Sequence, residues 1–306
     1  MLPFLIRRLL LTIPVLLGVA TLVFALIHLV PGDPAQAMLG DGASPQDIEQ
    51  LRERLGLNRP LSAQYVSFMA GLARGDLGVS MRSDQPVTRE IFRRIPATAE
   101  LAFAAMAVAI LFAVPLGIAA AVWRDTAVDH GAMTLALAGI AMPNFWLGPL
   151  LAIVFAVELG WLPVSGRGSP ASLVLPAITL GAGLAAILAR MTRASLLDEL
   201  RELYVLAAAA RGASRARVVL RHAFRNSLIP IVTILGLQFG SLLTGAVITE
   251  TIFAWPGIGR LLIQSISFRD YPLVQGCILL IAVTYVAMNV LTDLAYGLLD
   301  PRIRLE

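Results

Sequence analysis

Six stretches of this sequence stay apolar for as long as a bilayer is thick: Leu9 to Val30, Thr98 to Val122, Gly131 to Val157, Ser172 to Ala189, Leu228 to Ile248 and Leu273 to Leu294. About 20 apolar residues in a helix cross the hydrocarbon core, whereas a barrel strand needs only about 10. Inside lipid each backbone N–H and C=O needs a partner within its own segment or a closed sheet, so runs of this length become helices. The predicted fold class is therefore an all-α polytopic membrane protein with six transmembrane helices. Composition agrees: 58% of residues are hydrophobic, 14% are charged, and the mean hydropathy is +0.79. Such usage lies outside that of soluble globular chains.

The first run is longer than the core of a secretory signal, and Pro31-Gly32-Asp33-Pro34 rather than a small-residue cleavage site follows it. It reads as an uncleaved span, with Arg7 and Arg8 anchoring its cytoplasmic end and His28 near the far interface. Residues 31–97 hold no spanning run and are expected outside the cytoplasm, one span away from the basic head. Ser44-Pro45-Gln46-Asp47 is an N-cap, a first-turn proline and an acidic capping partner, and Gly56 closes the helix that follows. Tyr65, Phe68, Met69 and Leu72 recur at helical spacing in a second amphipathic stretch, and Val87 to Ile95 is a third. The expected organisation has three parts: 1–30, a cytoplasmic head and first span; 31–97, an extracytoplasmic segment; and 98–306, a five-helix core with a cytoplasmic segment at 190–226.

Within that core Pro143-Asn144 interrupts the third run, which is tolerable where neighbouring groups or water satisfy the freed backbone. Gly181, Ala185 and Ala189 recur every fourth residue, letting a neighbouring helix approach closely. Gly236 and Gly240 repeat the pattern in the fifth run, with Gln238 and Ser241 beside them. These two polar residues serve either as interhelical glue or as pathway lining, and Asn144 joins them as a pathway candidate. Asp293 is expected near the inner interface, paired with an arginine.

Between the fourth and fifth runs lies a different kind of sequence. Arg190 to Arg225 carries eight arginines (190, 193, 201, 211, 215, 217, 221 and 225) against Asp198, Glu199 and Glu202, a net charge of 8 − 3 = +5. Each such arginine costs roughly 2.5–3.5 kcal/mol at a helix centre in lipid, so the block belongs in water, and the positive-inside bias puts it in the cytoplasm. Counting six crossings leads to the same side and leaves both termini cytoplasmic. The block is also patterned: Tyr204 to Ala210 favours a helix, Arg211-Gly212 stops it, and Ser214 can cap a second helix towards Asn226. By charge alone it is either a solvated loop that only sets topology or a docking element for a cytoplasmic protein.

Tyr204-Val205-Leu206-Ala207-Ala208-Ala209-Ala210-Arg211-Gly212, followed by Leu220-Arg221-His222-Ala223-Phe224-Arg225-Asn226-Ser227-Leu228, resembles the coupling segment of ATP-binding-cassette importer permeases, in the B-type subunit of the dipeptide/oligopeptide branch. Leu206 stands where the general motif has glutamate and Arg225 where it has proline; both departures are usual in the peptide branch. Pro31-Gly32-Asp33-Pro34, Gly75-Asp76-Leu77-Gly78 and Trp255-Pro256-Gly257 are similar to further signatures of that family. The resemblance implies a type I importer permease forming half of a translocation pathway for di- or oligopeptides, with glutathione and nickel chelates as alternative cargo. It implies a second homologous permease, an extracytoplasmic solute-binding protein and two cytoplasmic ATPase subunits that hold ATP and Mg, this chain binding no cofactor itself. On the matching positions it assigns ATPase coupling to Tyr204, Ala207, Ala208, Arg211, Gly212, Ser214, Arg215, Arg217, Arg221, His222 and Arg225.

Other chemistries find no support. No G-x-x-x-x-G-K-[ST] phosphate loop, H-E-x-x-H or G-x-S-x-G occurs, and His28, His130 and His222 lie in separate segments without metal-ligand spacing. Cys277 is the single cysteine, so no internal disulfide forms. The isoelectric point near 9.8 reflects arginines placed between spans, which membrane topology explains better than nucleic-acid binding. An ion-coupled secondary transporter or channel is the distant alternative, but paired inverted repeats with midplane acids are not evident.

Overall fold

The computed structural model describes residues 2–29, 33–40 and 42–299. Among them every regular element is helical, apart from one isolated bridge between Val79 and Pro86. Five helices are long and apolar enough to span, or six if the bent pair in the third apolar run counts as one span.

The first span, α1 (Leu2–Leu29), is longer than its apolar run because the basic head joins the helix. Asp33 caps the short α2 (Pro34–Leu39), its carboxylate accepting the Ala35 N–H at 3.1 Å. Pro31 and Gly32 of the surrounding signature lie outside the described residues. Ser44 caps α3 (Pro45–Leu55) as expected, with Asp47 N–H donating to its hydroxyl at 3.2 Å, and Gly56 ends the helix at φ +67°. The second amphipathic stretch is α4 (Leu61–Ala73). The third is not separate: it forms the first turns of α5 (Val87–Val122), a single 36-residue helix that runs through Pro96 into the second span. Apolar content drops at Arg93-Arg94, although arginine is a good helix former, so a reading by hydropathy alone divides one helix into two.

The third run is two elements, α6 (Ala127–Ala141) and α7 (Asn144–Leu151), the latter continuing as a π-helix over Ala152–Glu158, with a bend of 104° at Met142-Pro143. Then come α8 (Val174–Glu199), α9 (Leu203–Ala210), one turn of helix α10 (Arg215–Arg217), a π-helix over Val218–Ala223, and α11 (Phe224–Ile252). The chain closes with the amphipathic α12 (Ile258–Ser267) and the sixth span, α13 (Tyr271–Leu299). Asp300 to Glu306 and the Asp293 side chain lie outside the described residues, and with them the expected arginine pairing of Asp293.

Contacts divide the chain into two units. The first comprises Leu2–Thr98 with Pro256–Val286. Its core is Val87, Ile91, Ile258, Leu261, Leu273 and Cys277, with a second cluster where Ala20 and Val23 of α1 meet Leu279, Phe68 and Leu72. Gln275 donates to the Val23 carbonyl at 2.9 Å, and His28 Nε2 meets Gln64 Oε1 at 3.1 Å, so His28 ties α1 to α4. Arg52 donates to Asp33 from Nε at 3.0 Å and from Nη2 at 2.6 Å, holding that carboxyl below its ordinary value of 3.8. A depressed carboxyl adds stability that is complete above 3.8 and fades as pH falls through the lower folded value. Hydrogen exchange at the Ala35 amide is therefore expected to keep constant protection down to the ordinary carboxylate range and to lose it only below.

The second unit comprises Ala99–Trp255 and the chain from Ala287 on. Here α8 is the central element, and the small residues do what their spacing predicts. A Cβ at Gly181 would lie 2.6 Å from the Ala105 carbonyl oxygen, one at Gly117 2.6 Å from Thr192 Cβ, and one at Gly236 2.7 Å from the Thr292 side chain. Backbone cannot move aside as a flexible side chain can. Gly181→Ala is thus expected to destabilise the packing of α5 on α8 by about 1–3 kcal/mol, seen as a lower melting temperature in detergent. Ala113, Ala136, Ala186, Leu188, Ala189 and Ile231 form the buried core around this helix.

Candidate functional site

The arginine-rich block builds a folded foot on the second unit. No turn signal follows Ala189 in the sequence, and the helix runs on as that leads one to expect: α8 continues to Glu199, carrying the chain beyond the apolar run. Helix α9 follows, its end held by Arg211 Nε donating to the Ala207 carbonyl at 3.2 Å. Gly212 then turns the chain at φ +84°, a left-handed conformation that costs most L residues about 1–2 kcal/mol. Ser214 stands at the next N-cap with extended backbone, although no capping bond from its side chain is present. The second helix does not end at Asn226; it passes through the π-helical turn directly into α11, so foot and fifth span form one helical path.

Apolar burial and a tyrosine hold this helix–turn–helix shut. Val205 of α9 packs in one cluster with Leu196, Val218, Val219 and Ala223 and with Ala121 of α5, and Ala208, one turn further on, is buried as well. Tyr204 donates its hydroxyl hydrogen to Glu199 and accepts from Asn226 Nδ2 at 2.8 Å, joining the end of α8 to the start of α11. Partial desolvation, with the Glu199 carboxylate alongside, raises the Tyr204 phenol above its ordinary value of 10, so it remains a neutral donor throughout the physiological range. Arg215 Nη2 donates to the Val122 carbonyl at 3.0 Å, which fastens the foot to the last turn of α5.

One ion pair ties α6 to α8, the helix that enters the foot. Asp129, in the first turn of α6, is 2% exposed and accepts two bonds from Arg193 of α8, both at 2.6 Å. The Asp125 N–H adds a third at 3.0 Å. In the sequence Arg193 is one charge of the arginine-rich block, and nothing there names Asp129 as its partner. A buried pair of opposite charges on segments 64 residues apart has no local signature to reveal it.

The sequence-derived positions separate into two groups. Tyr204, Ala207, Ala208, Arg211, Gly212, Ser214, Arg215, Arg217, Arg221, His222 and Arg225 all fall within this one foot. Ala207, Gly212, Ser214, Arg217, Arg221 and Arg225 are exposed, whereas Ala208 is buried. Arg211 and Arg215 are tied to backbone carbonyls, and the His222 carbonyl lies 3.4 Å from the Tyr204 hydroxyl. Leu203 at 81%, Leu206 at 54% and Leu220 at 55% exposure add apolar contacts to this cationic face. Their hydrophobicity reads as burial in sequence, so their outward orientation shows only in the fold.

The pathway candidates are more dispersed. Asn144 is half-buried at the first position of α7, beside the bend; Gln238 is half-buried on α11; the Ser241 side chain lies outside the described residues. Neither Asn144 nor Gln238 lines the cavity of about 470 Å³ in this unit, whose walls are Phe103, Met106, Ile110, Val232, Phe239 and Met288 together with Gly236 and Thr292.

The chain that carries this foot has its counterparts among transport proteins. The family described as "Binding-protein-dependent transport system inner membrane component" matches residues 113–305, and its N-terminal companion, "Binding-prot-dependent transport system membrane comp, N-term", matches residues 1–102. The chain belongs to this family. It is a multi-pass inner-membrane permease component of an ATP-binding-cassette importer that works with a binding protein. It is 45% identical to the dipeptide transport system permease protein DppB of Alkalihalophilus pseudofirmus, over 99% of this chain and 100% of that one. It is 47% identical to the glutathione transport system permease protein GsiC of Pectobacterium atrosepticum and to the di/tripeptide transport system permease protein DppB of Pseudomonas aeruginosa, over 99% of each chain in both cases. In fold it is similar to the inward-facing MetNI methionine ABC transporter, with a TM-score of 0.57 and 17% identity over 69% of this chain and 96% of that one. A crystal structure of an amino acid ABC transporter aligns with a TM-score of 0.53 and 18% identity, over 70% and 94% of the two chains. The permease therefore has the type I importer fold expected from its motifs.

Proposed function

We propose that this permease forms one half of the translocation pathway for di- or oligopeptides and couples it to ATP hydrolysis through the foot. The observation that carries the coupling is the exposed surface of the foot: Leu203 and Leu206 on α9, and Arg217, Leu220, Arg221 and Arg225 on the helical path after the turn, with α8 and α11 continuing from the foot into two spans. Exposed apolar groups within a cationic rim fit a groove with an apolar floor and carboxylates at its edge. The partner is an ATPase subunit holding ATP and Mg, one of two in the assembly. When nucleotide draws those subunits together, the foot moves as a body with α8 and α11, and the pathway alternates its access.

The pathway is completed by a second homologous permease, and an extracytoplasmic solute-binding protein delivers the cargo. Asn144, Gln238 and Ser241 are the polar positions on the spans suited to a peptide backbone. Both termini and the foot lie in the cytoplasm. Relatives named for dipeptides and di/tripeptides support the substrate class, and an equally similar relative named for glutathione keeps that tripeptide as the second reading.

A single cysteine at the foot tests the coupling surface. With Cys277 buried, Ser214→Cys provides the reactive thiol in intact cells, spheroplasts and the assembled complex. A membrane-impermeant maleimide is expected to label it only from the cytoplasmic side, and assembly with the ATPase subunits is expected to protect it. Labelling from outside overturns the orientation, and undiminished labelling in the assembled complex overturns the docking assignment.

A further inference from the structure

We propose that a cleft on the unit formed by Leu2–Thr98 and Pro256–Val286 binds a small zwitterion, its carboxylate on Arg94 and its ammonium on Glu90. The cleft measures about 320 Å³, near the lower end of small-ligand pockets, and lies between the loop before α5, the first turns of α5 and the α12–α13 corner. Two of its four charged groups are committed within the fold. Asp270, 2% exposed, accepts the Ser80 hydroxyl at 2.5 Å, the Arg82 N–H at 3.4 Å and the Leu273 N–H at 3.3 Å, and so caps α13. The Arg82 guanidinium lies 3.4 Å from the centre of the Phe268 ring.

Glu90 and Arg94 remain. Both are half-buried and both line the cleft, yet among the described residues neither side chain makes a hydrogen bond or an ion pair. One turn apart on α5, they present opposite charges on one wall, with Cβ atoms about 5–6 Å apart. Glu90 repels a simple anion, and Arg94 with Arg82 repels a simple cation. A zwitterion satisfies both groups at once, while Ser83 and Gln264 on the same lining offer neutral hydrogen bonds to an amide. A dipeptide has these three features. The preference for a peptide over another zwitterion rests on the transport reading above, and the cleft would then hold cargo at the extracytoplasmic face.

The test is equilibrium binding of radiolabelled L-alanyl-L-alanine to the assembled transporter in nanodiscs, without ATP and without binding protein. Saturable binding is expected, weakened about tenfold or more by Glu90→Gln and by Arg94→Gln. On the unaltered protein, N-acetyl-dialanine is expected to bind as weakly as dialanine binds Glu90→Gln, and dialanine amide as weakly as dialanine binds Arg94→Gln. These analogues keep the assignment testable if a variant folds poorly. The double exchange Glu90→Arg with Arg94→Glu is expected to restore binding with the ligand reversed, which a purely structural role does not do. Absence of saturable binding, binding by both variants undiminished from that of the unaltered protein, or tight binding of the N-acetyl form overturns the site. ATP-driven uptake by the same preparation, supplied with binding protein, is measured separately: uptake without saturable binding sinks the cleft alone, and binding without uptake sinks the transport reading.

Discussion

Arg193→Ala is expected to destabilise the permease by about 3 kcal/mol, the low end for removing one partner of a buried ion pair. Asp129 is 2% exposed, and its carboxylate would be left with the Asp125 N–H alone. Arg193 itself is 27% exposed, so the opposite truncation is milder: in Asp129→Ala the freed guanidinium reaches water along its own stem. The double variant removes both charges and is expected to fall between the unaltered protein and Arg193→Ala. Thermal unfolding in detergent reads this order. Small and equal losses for the two single variants would mean that the pair is hydrated and adds little. Because the pair joins α6 to α8 just before the foot, the same variants are expected to lower coupled transport more than assembly.

Gly212→Val is expected to reduce transport about 5- to 30-fold while ATP hydrolysis persists. The size follows from the backbone: at φ +84° a residue with a Cβ carries about 1–2 kcal/mol of strain, and a β-branched one is a true outlier. A Cβ there meets nothing within 4 Å, so packing adds no further loss and the effect reports conformation alone. Asn accepts this region more readily than other residues, so Gly212→Asn is expected to keep most activity, and Gly212→Ala to fall between. Proteoliposome uptake measured beside phosphate release distinguishes uncoupling from loss of the complex. Unchanged uptake in Gly212→Val would remove the turn from the coupling mechanism.

The legible parts of this protein were those whose physics is local. Hydropathy runs located the spans because a bilayer demands about twenty apolar residues of each. Ser44 with Asp47, and Arg211 with Gly212, marked helix ends because caps and left-handed turns depend on neighbouring residues. The Gly181 stripe announced a close helix approach, though not that the partner is the Ala105 backbone. Boundaries were less clear wherever polarity and helicity disagree. Val87 to Ile95 looked separate from the second span, and the foot looked separate from the fifth, because charge interrupts an apolar run without interrupting the hydrogen-bond ladder of α5 or α11.

Sequence by itself determined the membrane class, the order of spans and the helix–glycine–helix foot, since each follows from forces acting over a few residues or across a known thickness of lipid. Only the tertiary structure decided which charges are spent and which remain free. Asp129 and Arg193 neutralise each other, Arg215 holds the end of α5, Ala208 turns inward while Leu203 turns outward, and Glu90 and Arg94 stay unpaired in a cleft. Those outcomes depend on contacts between distant segments, where the cost of desolvating a charge is met or left unmet by whatever the fold brings beside it.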